Sequence, residues 1–195
     1  MFVFISCDSE EFPGLRDRLQ KAIDSEYMYN VMRTDERDEL VHQGVIMKAV
    51  VVERESDESF DLAMKKGIEK SQIYVGIFGK DYSIPTQKEY HAARQRGLPI
   101  LVYYYTQPPH IAKGFHTKVT RFLEKDVKPE LRIRGNYGRI EAHDDMELVD
   151  LILNDLACKT VDLAREAMSF RRMLLEKAPD DVIAAILRAK KSVFE

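Results

Sequence analysis

Tryptophan is missing from this 195-residue chain, and cysteine is nearly so, with two residues, Cys7 and Cys158. Two thiols at that separation build no disulfide framework and match no metal-ligand spacing. Reduced thiols and a cytoplasmic location are the simple expectation. Excess charge of one sign is also lacking: 30 basic against 33 acidic residues give a net charge of -3 and a pI near 6.0. That balance supplies no global attraction to nucleic acid or to an anionic membrane. Nor is there the aromatic and basic interleaving of a single-strand binding platform. The apolar start, Met1-Phe2-Val3-Phe4-Ile5, is too short for a secretory leader. No apolar run is long enough to span a bilayer.

Common catalytic signatures are absent as well. The chain contains no Gly-x-x-x-x-Gly-Lys-Ser/Thr phosphate loop and no Gly-x-Gly-x-x-Gly run. It contains no His-Glu-x-x-His helix and no Gly-x-Ser-x-Gly elbow. His42, His91, His110, His116 and His143 are scattered, so no metal centre and no resident cofactor are expected.

What is present is alternation. Hydrophobic residues make up 45% of the chain and charged residues 32%, enough apolar material for a core. Phe2–Ile5 and Ile73–Phe78 are continuous apolar runs, as expected of strands covered on both faces. Val45–Val52 and Ile100–Tyr105 have strand composition too. Helical spacing runs from Phe12 to about Ser25, from Ser59 through Ile68, and from near Thr86 to the stop signal Gly97-Leu98-Pro99. A further helix is expected within Lys113–Lys125, a long one from Met146 to about Lys177, and a last one over Asp181–Val193. Leu131–Arg134 and Gly138–Ala142 are weaker strand candidates. Residues 26–44 read as a loop with a short helix.

Strands alternating with helices predict an α/β fold with a doubly wound, flavodoxin-like parallel sheet of five strands. The expected order is 2-1-3-4-5, with residues 1–157 as the α/β domain and 158–195 as a helical C-terminal extension. In that order the switch point falls between the first and third strands, and ligands bind beyond the carboxyl ends there. The facing loops are Ser6–Ser9 and Gly79–Pro85.

Glu89 is the most informative residue near that crevice, and it has two readings. Thr86-x-x-Glu89 is a capping box, and a carboxylate in a first turn also favours the helix dipole. Alternatively, Glu89 faces the crevice and does chemistry. Ser6 and Asp8 are similarly open, because each could cap the first helix or bind a ligand.

The segments VFIS, SFDLAMKKGIEKSQIYVGIFGKDY and PTQKEYHAARQRGLPILVYY resemble an uncharacterised TIR-like domain family of prokaryotes, often found N-terminal to regulatory ATPases. Thr86, Glu89, Tyr90, Ala93, Gly97 and Pro99 carry the likeness, which covers about residues 1–157. Cys7 stands where a second Ser is usual, and Ser83 replaces a common Gly. The wider resemblance is to TIR domains and nucleoside deoxyribosyltransferases. It implies a nucleotide or nucleoside ligand, with NAD a possible substrate, and Glu89 as the carboxylate that attacks or stabilises a ribosyl carbon. It further implies that Ser6, Cys7, Asp8, Gly79, Asp81, Tyr82 and Thr86 line the ligand site. TIR-like domains commonly self-associate, so the competing expectation is a non-catalytic signalling module that forms homo-oligomers.

Overall fold

A computed structural model of the chain describes residues 1–25, 47–52, 59–79, 83–104, 117–127 and 145–177. The expected features within 26–44, the strand candidates of 131–142 and the helix of 181–193 lie outside these residues. A fifth strand is therefore not among the described elements.

In chain order the elements are β1 (Phe2–Cys7), α1 (Leu15–Asp24), β2 (Lys48–Val50), α2 (Phe60–Lys70), β3 (Ile73–Phe78), α3 (Ile84–Arg96), β4 (Ile100–Tyr104), α4 (Thr117–Phe122) and α5 (Asp145–Lys177). A π-helical turn over Leu123–Val127 continues α4. The sheet order is β2-β1-β3-β4, with every pairing parallel. This is the expected α/β class, and the expected order holds for the four described strands. Two compact units divide the chain, Met1–Asp155 and Leu156–Glu195. No helix among the described residues is long and apolar enough to cross a membrane.

Successive strand side chains point to opposite faces. On one face lie Phe4 and Ser6 of β1 and Tyr74, Gly76 and Phe78 of β3. Phe4, Tyr74 and Phe78 join Met64 and Ile68 of α2 and Tyr90 and Ala93 of α3 in one core cluster. The other face presents Val3, Ile5 and Cys7, then Ile73, Val75 and Ile77, then Leu101 and Tyr103, all buried. Helix α1 buries Leu15, Leu19 and Ile23, and the first turns of α5 bury Leu148, Val149 and Ile152. The Tyr103 hydroxyl donates to Asp155 Oδ2 at 2.7 Å. Burial and that adjoining carboxylate push the phenol's pKa up.

Local chemistry sets the element ends. Gly97 closes α3 in the left-handed region, at φ 78°. Its amide donates to Arg94, and Leu98 N–H reaches back to Ala93, which satisfies carbonyls left open at a helix end. The first helix starts later than its apolar spacing suggests, at Leu15. Gly14, at φ 77°, precedes it, and the chain before it forms a separate turn in which the Asp8 carbonyl accepts the Phe12 amide at 3.0 Å. At the far end of α1, Asp24 Oδ1 accepts the Ala49 amide of β2 at 2.8 Å.

Candidate functional site

The β1 and β3 strands are neighbours with Ser6 opposite Gly76, and their following loops leave the sheet at the same end. Glu11, in the loop after β1, lays its carboxylate against Gly79, the residue after β3. A side chain at position 79 would displace that carboxylate. The chain after β1 and the exit residue of β3 therefore come together at Glu11 and Gly79.

Glu89 comes to the same place from α3. That helix begins at Ile84, with Ser83 as its cap residue and Pro85 in the first turn. Thr86 is thus already inside the helix, and Glu89 lies in the second turn, one turn beyond the open amides. The capping-box reading is overturned. Pro85 supplies a fixed φ and lacks an N–H, which suits a first turn, so the helix starts before Thr86. The Ser6 hydroxyl donates to Glu89 Oε2 instead. Both residues are interior, Ser6 1% and Glu89 7% exposed. A carboxylate moved out of water is tolerated only when hydrogen bonds replace its hydration, and Ser6 provides one. Their union across 83 residues of sequence follows from the parallel register and the right-handed return of the chain through α3.

Tyr74 completes the interior group. Its ring stacks on Phe4 and meets Tyr90 edge-on. It leans along β3 over Gly76, where an added Cβ would lie 2.8 Å from its Cε1 and 3.0 Å from its hydroxyl oxygen. That hydroxyl is fully buried, and no hydrogen bond of normal geometry reaches it. It lies close to Ser6 and Glu89. Burial first, and then the adjoining Glu89, raise its pKa well above the ordinary phenol range, while proximity to Ser6 acts the other way.

The remaining predicted residues divide. Asp8 shapes the turn: its Oδ1 accepts the Glu10 amide at 2.9 Å and the Glu11 amide at 3.4 Å. Neither Asp8 nor Ser6 caps α1, whose cap residue is Gly14. Cys7 points to the opposite face of the sheet from Ser6, and its Sγ lies 3.8 Å from the Asp8 carbonyl. Burial pushes the Cys7 thiol up to about 12, partly offset by Arg16 and reinforced by Asp8, Glu11 and Glu89. Thr86 is buried on α3. Gly79 is buried against Glu11. Asp81 and Tyr82 lie outside the described residues.

Sequence reasoning missed Glu11, Arg16, Tyr74 and Gly76. Arg16 sits in the first turn of α1, where its Nη1 donates to the Val52 carbonyl at 3.3 Å. A glycine inside an apolar strand is a recognised sign of close approach, so Gly76 carried a readable signal. Glu11 and Arg16 carried none beyond their charge. A hollow of about 530 Å3 lined by Asp17, Gln20, Lys21, Asp24 and Ser25 lies along α1, and no residue of the predicted site lines it. Among the described residues no cluster of His, Cys, Asp and Glu could hold a metal ion.

The family model described as "Domain of unknown function (DUF4062)" matches residues 2–145. No curated protein and no solved structure matches the chain.

Proposed function

The chain belongs to the DUF4062 family, and from that premise we propose that it is a TIR-like nucleotide- or nucleoside-binding domain that cleaves or transfers an N-glycosidic bond, with Glu89 as the key carboxylate. One observation carries the reading: an acidic side chain held in the interior near the carboxyl end of β1, bonded to Ser6. Open α/β sheets bind ligands at that end of the switch point. As the bond from the ribosyl carbon to the base nitrogen breaks, its electron pair leaves with the base, and positive charge develops on the sugar ring. Glu89 stabilises that charge or forms an ester with the carbon, which water then cleaves. Ser6 fixes the carboxylate until the sugar arrives. NAD and deoxynucleosides are the substrates to test.

The assay is base release from NAD and from deoxynucleosides by the purified chain, beside Glu89→Gln. We expect release by the wild type and a loss of about 10²–10³-fold or more in the variant, the scale on which removing a charge-stabilising group acts. Absence of release, or equal release by both proteins, removes the proposal.

A second reading, a non-catalytic signalling or self-association module, draws on the same burial. At 7% exposure, Glu89 can serve as one half of an interior hydrogen bond that fixes α3 on β1. Under this reading no base is released, and light scattering of the intact chain gives a mass of two or more copies. A monomeric mass would remove it.

A further inference from the structure

Tyr74 is an anomaly in a strand that is otherwise a good core strand. All six residues of β3 are buried, and a phenylalanine at position 74 would keep both ring contacts, with Phe4 and with Tyr90. The chain instead buries a hydroxyl there without a hydrogen-bond partner of normal geometry. An unsatisfied interior donor is destabilising, and replacing it by an apolar group of the same shape is neutral or favourable. Packing therefore gives no reason for the oxygen.

Its surroundings give one. Gly76 leaves the room that lets the Tyr74 ring lie along the strand, which brings the hydroxyl beside Ser6, the cross-strand neighbour of Gly76. Ser6 spends its single proton on Glu89, which leaves the lone pairs of Ser6 Oγ as acceptors. No acceptor meets the Tyr74 hydroxyl in normal hydrogen-bond geometry, yet Ser6 is near enough to act on the phenol and has acceptor capacity one strand away. The valences are complementary and ordered: Tyr74 can give to Ser6, and Ser6 gives to Glu89. Burial keeps the phenol in its protonated, donating form.

We propose that Tyr74 is a positioning residue of this site: its hydroxyl donates to Ser6 Oγ, holds Ser6 in the rotamer that serves Glu89, and so sets where the carboxylate points. For its catalytic consequence this inference rests on the proposed glycosidic chemistry; its structural core, the chain of donors, stands apart from it.

The test compares Tyr74→Phe, Ser6→Ala and the double variant in the full chain. In the base-release assay, Tyr74→Phe lowers kcat about tenfold with KM unchanged, the split expected when a group acts only through the orientation of another. Ser6→Ala lowers kcat at least as far, and the double variant is no worse than Ser6→Ala. In thermal melting, the two single shifts fail to sum in the double variant by roughly 2–4 °C, because contacting residues couple. Melting does not depend on catalysis, so it separates the two failures. If no protein releases base but the melting shifts remain coupled, the glycosidic proposal falls and the donor chain stands. If Glu89→Gln is inactive while Tyr74→Phe keeps full kcat, or if the melting shifts simply add, the positioning role is overturned.

Discussion

The two faces of the sheet are built from the same strands and differ in kind. One face is apolar wherever β1 and β3 contribute to it: Val3, Ile5 and Cys7 beside Ile73, Val75 and Ile77. The other alternates bulk with interruption, as Phe4 gives way to Ser6 and Tyr74 to Gly76 before Phe78. A parallel sheet covered on both sides has no need of polar interior residues. Within β1 and β3, Ser6 and the Tyr74 hydroxyl share one face, which gives up some packing to hold them beside Glu89, while the other face of these two strands is apolar.

Four substitutions can break or sharpen that division. The largest expected effect on stability is on the apolar face, where Ile5→Ala should cost about 2–5 kcal/mol by removing a fully packed side chain, read by urea unfolding. Gly76→Ala comes next on the polar face. Its Cβ would meet the Tyr74 ring at 2.8 Å, and overpacking of this kind costs about 1–3 kcal/mol. Unchanged stability there would mean that the ring has free room and that the close approach is incidental.

Cys7 tests the apolar face by pH. Burial pushes its thiol up to about 12 in the folded chain, from the 9.0 of a thiol in water. The folded state thus favours the protonated form. The stabilisation is fully present below pH 9 and is lost as pH rises through the folded value. Unfolding curves across pH 8–12 should show this alkaline loss, and Cys7→Ala should flatten it. A thiol reagent at pH 8 should modify exposed Cys158 well before Cys7.

The smallest effect on stability belongs to the residue with the largest proposed effect on chemistry. Glu89→Gln keeps an oxygen to accept from Ser6, so stability should stay within about 1 kcal/mol of the wild type while base release is lost. A collapse of stability instead would place Glu89 among the structural supports and blur the contrast between the faces.

The backbone plan was legible in the sequence because it rests on local patterns. Ile73–Phe78 reads as an interior strand from composition alone, Gly97-Leu98-Pro99 ends its helix for stereochemical reasons, and short alternating elements leave few sheet orders. The site was legible in part. Ser6 and Glu89 could be named as polar residues near the switch point, but their bond depends on register between distant segments. The capping box misled because a local motif, Thr86-x-x-Glu89, competed with Pro85, which starts the helix earlier and carries Glu89 past the first turn. Tyr74 was hidden by its ring, which fits a strand so well that its oxygen drew no notice.

The bond from Asp24 to the Ala49 amide has a consequence for association. β2 is only three residues long and is the edge strand among the described residues, and Ala49 N–H points away from β1, toward Asp24. With a carboxylate already seated on that amide, an incoming extended segment would have to displace a charged acceptor before it could add a rung. Addition of a strand past β2 at that rung is thereby discouraged.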